Sequence, residues 1–89
     1  MKAVITVTGK DKKGIIAKVS GFLSEKGVNI EDISQTIMGE YFAMIMIVDM
    51  SEAKKGLAEL AEECAALGKQ IGMAIYIQHE DIFNSMHRI

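Results

Sequence analysis

Proline and tryptophan are missing from this 89-residue chain, cysteine occurs once, and two tyrosines with three phenylalanines supply all of its 6% aromatic content. The single Cys64 cannot close an internal disulfide, so a secreted fold held by cystine staples is excluded and a reducing, cytoplasmic setting is expected. Charge of one sign is also lacking. Ten basic residues face twelve acidic ones for a net charge of −2, without a lysine or arginine cluster. A direct nucleic-acid partner or an anionic membrane surface therefore has no electrostatic footprint. No apolar run has the length of a membrane span or the pattern of a signal peptide. The length admits one domain over residues 1–89 and excludes a two-domain enzyme. What is present is a 49% hydrophobic, 25% charged composition, that of a folded domain, with seven methionines.

Periodicity along the chain divides it into six main elements. Ala3 to Thr8 is β-branched and ends at Gly9, which reads as a first strand. Ile15, Ile16, Val19, Phe22 and Leu23 form a one-sided helical stripe that Gly27 closes, giving a helix over 14–26. Ile33 and Ile37 alternate with polar residues, Gly39-Glu40 interrupts, and an apolar run from Tyr41 to Val48 follows, which together read as a hairpin. Leu57, Leu60, Ala61, Cys64, Leu67 and Ile71 keep helical spacing, so a second helix is expected over about 52–70 with Ser51 and Glu52 at its start. Met73 to Gln78 is a fourth strand, and Asp81 precedes Ile82, Phe83 and Met86 in one amphipathic turn.

The order βαββαβ is that of the ferredoxin-like α+β fold, a four-stranded antiparallel sheet with two helices on one face. Its third strand places Phe42, Met44, Met46, Val48 and Met50 on one side and Ala43, Ile45 and Ile47 on the other. Both sides are apolar, which predicts a second layer from another protomer or from the C-terminal turn. The methionine-bearing side, with its flexible thioethers, is assigned as the oligomer interface.

Two segments carry the candidate chemistry. Gly9-Lys10-Asp11-Lys12-Lys13-Gly14-Ile15-Ile16 joins the first strand to the first helix. Free N–H groups there would favour an anion, and equally Asp11 would cap the helix while the lysines stay solvated. Asn29, in Lys26-Gly27-Val28-Asn29-Ile30, has donors and an acceptor for an α-amino or α-carboxylate group, or for its own turn. The two segments need not adjoin within one chain; pairing protomers edge to edge would join them.

Gly9-x-Asp11-x-x-Gly14-Ile15-Ile16-Ala17-x-Val19 followed by Gly27-Val28-Asn29-Ile30 resembles the signature of ACT domains, and the resemblance covers nearly the whole chain. In length the chain looks like the small stand-alone bacterial ACT proteins, and it is similar to one half of the tandem-ACT regulator of the glycine cleavage system. The resemblance implies a regulatory module that binds an amino acid or related carboxylate between protomers of a homo-oligomer, at least a dimer. Asp11, Lys12, Lys13, Gly14 and Ile15 would then supply loop contacts, and Asn29 with Ile30 the second half of the site. Many family members carry Arg-Pro before the loop glycine where this chain has Lys12-Lys13, so this proline-free loop is less preorganised.

Enzymatic readings fail on inventory, and neither a cofactor nor a metal is expected. Cys64 lies on an apolar helical stripe without a nearby histidine, and His79 and His87 lack a tight ligand spacing. A copper chaperone would need a C-x-x-C on the first loop. An acylphosphatase-like hydrolase would need a cradle arginine near the first helix, and the one arginine is Arg88. An RNA-recognition module would need stacking aromatics where the first strand has Val4, Ile5 and Val7. The competing class is an interaction module whose apolar sheet face docks a partner protein without any effector.

Overall fold

A computed structural model describes residues 1–10 and 13–86. Strand β1 (Lys2–Gly9) leads into helix α1 (Ile15–Glu25), the hairpin β2 (Asn29–Met38) and β3 (Tyr41–Asp49), helix α2 (Leu57–Ile71), strand β4 (Ala74–His79) and a short helix α3 (Glu80–Met86). The strands form one antiparallel sheet in the order β2-β3-β1-β4. This is the ferredoxin-like α+β fold that the sequence predicts.

Register explains which residues form the core. Ala3, Ile5 and Val7 of β1 stand opposite Val48, Met46 and Met44 of β3 and, on the other side, opposite His79, Ile77 and Ile75 of β4. Apart from His79, all of these side chains are buried, and with Val19 and Leu23 of α1 and Leu60 and Cys64 of α2 they make one cluster. The helices therefore cover this face. A correction follows: Phe42, Met44, Met46, Val48 and Met50, assigned from sequence to a protomer interface, are core residues of the single chain, and Met46 is 0% exposed. The alternation along β3 is as the sequence predicts, but α1 and α2 claim the methionine side. The methionines act there as adaptable core filler.

The opposite sheet face carries Ala43, Ile45 and Ile47, with Ile45 42% exposed, together with Thr6, Thr8 and Tyr76. Helix α3 packs against β1 and β4, and Val4, which shares this face, is buried. The C-terminal turn thus supplies part of the expected second layer.

Helix α2 starts later than the sequence suggests. Ser51 donates to the Asp49 carboxylate from both its backbone N–H (3.0 Å) and its hydroxyl (2.6 Å), and Ala53 N–H donates to the Met50 carbonyl. These bonds fold residues 50–55 into a turn, and Glu52 lies in it rather than in a helix. None of the described helices is long and apolar enough to cross a membrane.

Candidate functional site

Helix α1 ends in a Schellman motif. Val28 N–H donates to the Leu23 carbonyl at 3.0 Å and Gly27 N–H to the Ser24 carbonyl at 3.1 Å, with Gly27 at φ 75°. The buried pair Leu23 and Val28 supplies the apolar contact that this motif favours. Gly27 is required for a second reason: a Cβ there would sit 2.5 Å from the Glu52 carbonyl oxygen. Lys54 N–H also donates to the Lys26 carbonyl at 2.9 Å. The β3–α2 turn is thereby held against the end of α1, immediately before Asn29 opens β2.

Between these elements lies an open groove of about 360 Å³, lined by Ser20 and Ser24 of α1, by Gly27 and Val28, by Asn29 and Ile30 of β2, and by Glu52 of the turn. A smaller hollow of about 200 Å³ adjoins it through Asn29 and Glu52 and adds Asp49 and Ser51. Asp49 is held below the usual carboxylate range, first by the Ser51 hydroxyl and then by the Ser51 N–H. Sequence reasoning finds Asn29 and Ile30. It misses Ser20, Ser24 and Glu52, although the two serines stand one helical turn apart, the spacing that puts side chains on one face.

The rest of the predicted site lies elsewhere. Gly14, at φ 71°, and Ile15 begin α1 beside the Gly9 end of β1, where Lys10 reaches the hairpin: its ammonium lies 3.7 Å from Glu40 and 5.7 Å from the centre of the Tyr41 ring. Ile15 is buried in the core and Lys13 is exposed. Asn29 pairs with Asp49 at the far end of the same hairpin, roughly 30 Å away along β2 at strand rise. Asp11 and Lys12 lie outside the described residues, as does His87. One chain therefore does not bring the described Lys10 end of the loop and Asn29 together.

Strand β2 is one of the two sheet edges, β4 being the other. A bulge at Glu31 shifts its register, so that Ile33 and Ile37 stand opposite Met46 and Phe42, on the helix side, yet beyond the helices' cover; Ile37 is 51% exposed. The unpaired edge and these two isoleucines form a surface that a further strand would complete.

Burial pushes the Cys64 thiol up to about 11, which leaves little thiolate for nucleophilic work. His79 Nδ1 accepts the Asp81 N–H at 3.0 Å at the start of α3. Among the described residues no three His, Cys, Asp or Glu side chains gather as a metal site.

The sequence and the backbone match known proteins. A family model described as ACT domain matches residues 2–78. A UPF0237 protein of Clostridium perfringens is 56% identical over 89 residues, covering 100% of both chains. The solved structure of an ACT domain protein from Streptococcus pneumoniae is 49% identical, with a TM-score of 0.84 and 93% of each chain covered. The regulatory subunit of aspartate kinase from Thermus thermophilus is 27% identical with a TM-score of 0.66, covering 86% of this chain and 50% of the other.

Proposed function

This chain belongs to the ACT domain family, whose members are generally regulatory ligand-binding modules, and from that premise we propose that it binds a small effector, an amino acid or related carboxylate, between two identical chains. The observation that carries the reading is the position of the Asn29 groove on the exposed edge strand β2, at the opposite end of that strand from the hairpin turn and Lys10. If two β2 edges pair antiparallel about a two-fold axis, the Asn29 end of one strand lies against the Met38 end of the other. Each groove then faces the partner's loop, and two half-sites become whole. The same pairing covers Ile33 and Ile37, which the helices leave exposed. An effector touching both chains stabilises the pair by its differential affinity for the assembled state, which is the coupling that regulation needs.

The similarity to a regulatory subunit of aspartate kinase supports this reading and supports a role without chemistry of its own. The second reading, a docking module, is favoured by Ile45, Ile47 and Tyr76 on the sheet face that the helices leave open. Thermal-shift screening with the amino acids separates the two, because a ligand at ~100 times its dissociation constant adds ~2.7 kcal/mol to stability. A shift that Asn29→Ala removes, with the far-UV spectrum unchanged, is the expected result. A strict monomer in sedimentation at micromolar concentration, with no shift for any amino acid, overturns the proposal.

A further inference from the structure

We propose that a hollow on the open sheet face, at the hairpin end, is a second binding site and that it takes a small aromatic acid, with the ring seated inward and the carboxylate on Lys10. The inference goes beyond the functional reading above, because no residue of the Asn29 groove lines this hollow.

Register makes the hollow. Thr8, Ala43 and Thr36 stand side by side on β1, β3 and β2, on the face away from the helices. Toward the hairpin turn the next cross-strand pair on this face is Met38 with Tyr41, and in the other direction β3 presents Ile45. Three short side chains between longer ones leave a depression of about 190 Å³ whose lining is almost wholly apolar. The cover that α3 gives to Val4 stops short of it: Thr8 lies roughly 13 Å along β1 from Val4 at strand rise, and no described residue of α3 lines the hollow. Met38 is 68% and Tyr41 55% exposed, so both walls keep most of their apolar surface open to an incoming group.

Size and chemistry select the ligand. A cavity of about 150 Å³ holds a benzene molecule, so a hollow of about 190 Å³ admits a single substituted ring. The Met38 sulfur and the Tyr41 ring both favour an aromatic neighbour over an aliphatic one, through sulfur–aromatic and offset ring contacts. Lys10 sets the polar end. Its ammonium lies 5.7 Å from the centre of the Tyr41 ring, at the wall of the hollow, and Glu40, at 3.7 Å, is beyond hydrogen-bond reach. The two side chains are 69% and 67% exposed, and an ion pair that open contributes little. The Lys10 N–H groups thus remain available to a carboxylate, which a ring seated against Tyr41 would carry to them. Among the described residues no acidic side chain lines the hollow to repel that carboxylate.

Titration of the methyl-labelled full chain with phenylacetate, phenylacetamide and cyclohexylacetate, followed by NMR, tests this. Phenylacetate is expected to shift the methyl signals of Thr8, Thr36, Met38 and Ala43 saturably, to leave those of Val28 and Ile30 in the Asn29 groove unmoved, and to bind at least about fivefold tighter than either analogue. Lys10→Gln, at an exposed position, is expected to fold and to remove the advantage over the amide, and Ala43→Leu, which fills the floor, to weaken all three. Shifts centred on the Asn29 groove, an analogue that binds as well as phenylacetate, or parent-like binding by Lys10→Gln overturns the proposal. So does the absence of saturable shifts up to about 10 mM, an affinity too weak for a selective site. These outcomes leave the amino-acid screen and its Asn29→Ala control untouched, so the two readings fail separately.

Discussion

Lys26 and Glu63, 37 positions apart in sequence, are joined by a 2.7 Å hydrogen-bonded ion pair that ties the end of α1 to the middle of α2, and Lys55 reaches the same carboxylate oxygen at 3.4 Å. The other oxygen, Oε1, is buried without a hydrogen-bond partner among the described residues. One carboxylate thus holds α1, α2 and the turn carrying Glu52, so the pair braces the groove from behind.

Acid should weaken this brace. The hydrogen bond from Lys26, aided by both lysine charges, holds the Glu63 carboxyl below its ordinary value of 4.5. A group with a depressed folded value stabilises above the unfolded one and loses that contribution as pH falls through the folded value. Glu63→Gln should therefore be less stable than the parent at pH 7, and the gap should close as pH drops below 4.5. Urea midpoints measured across that range check it; a gap that is constant with pH assigns the effect to packing.

Gly27→Ala should cost about 1–2 kcal/mol from the left-handed backbone alone. The loss should be larger in practice, because the new methyl would press on the Glu52 carbonyl. Gly39→Ala, also at positive φ but with open space around it, should show the backbone cost alone. Urea midpoints compare the two, and equal losses would mean that the turn simply moves aside.

Met46→Ala should cost about 2–5 kcal/mol, as large-to-small changes in a packed core do. Ile45→Ser, its exposed neighbour, should change stability by about 0.5 kcal/mol or less. If association runs through β2, sedimentation of Ile45→Ser should match the parent. Loss of association in Ile45→Ser would favour the docking reading instead.

Cys64 should resist thiol reagents in the native state. With its thiol pushed up to about 11, only about one molecule in a thousand carries the thiolate at pH 8. Labelling should track global unfolding, appearing at the denaturant midpoint; rapid labelling in buffer would mean that α2 opens locally.

The strands and helices were legible because their apolar periods are clean: the stripe from Ile15 to Leu23 and the alternation of Ile33 and Ile37 have one reading each. The face of β3 was not. Both sides of that strand are apolar, so period alone cannot say which side the helices take, and only the register with Ile5 and Val7 decides it. Asn29, which lines the groove, was singled out through its motif. Glu52 was missed because Ser-Glu before a helical stripe looks like a cap, while the Asp49–Ser51 bonds and Gly56 delay the helix to Leu57. Ser20 and Ser24 gave only a spacing, with no partner to mark them.

Glu31 sets a frame for the whole of β2. The residue has no counterpart on β3, and its carboxylate is held by Lys2 at 3.0 Å. Ile30 and Ile33 share a face only because this extra position lies between them. Substitution at 31 should therefore be mild, and deleting the residue would remove the bulge while leaving Ile30, Asp32 and Ile33 opposite Val48, Ile47 and Met46 in regular alternation. The bulge therefore sets the bend and twist of the edge strand rather than the phase of its side chains.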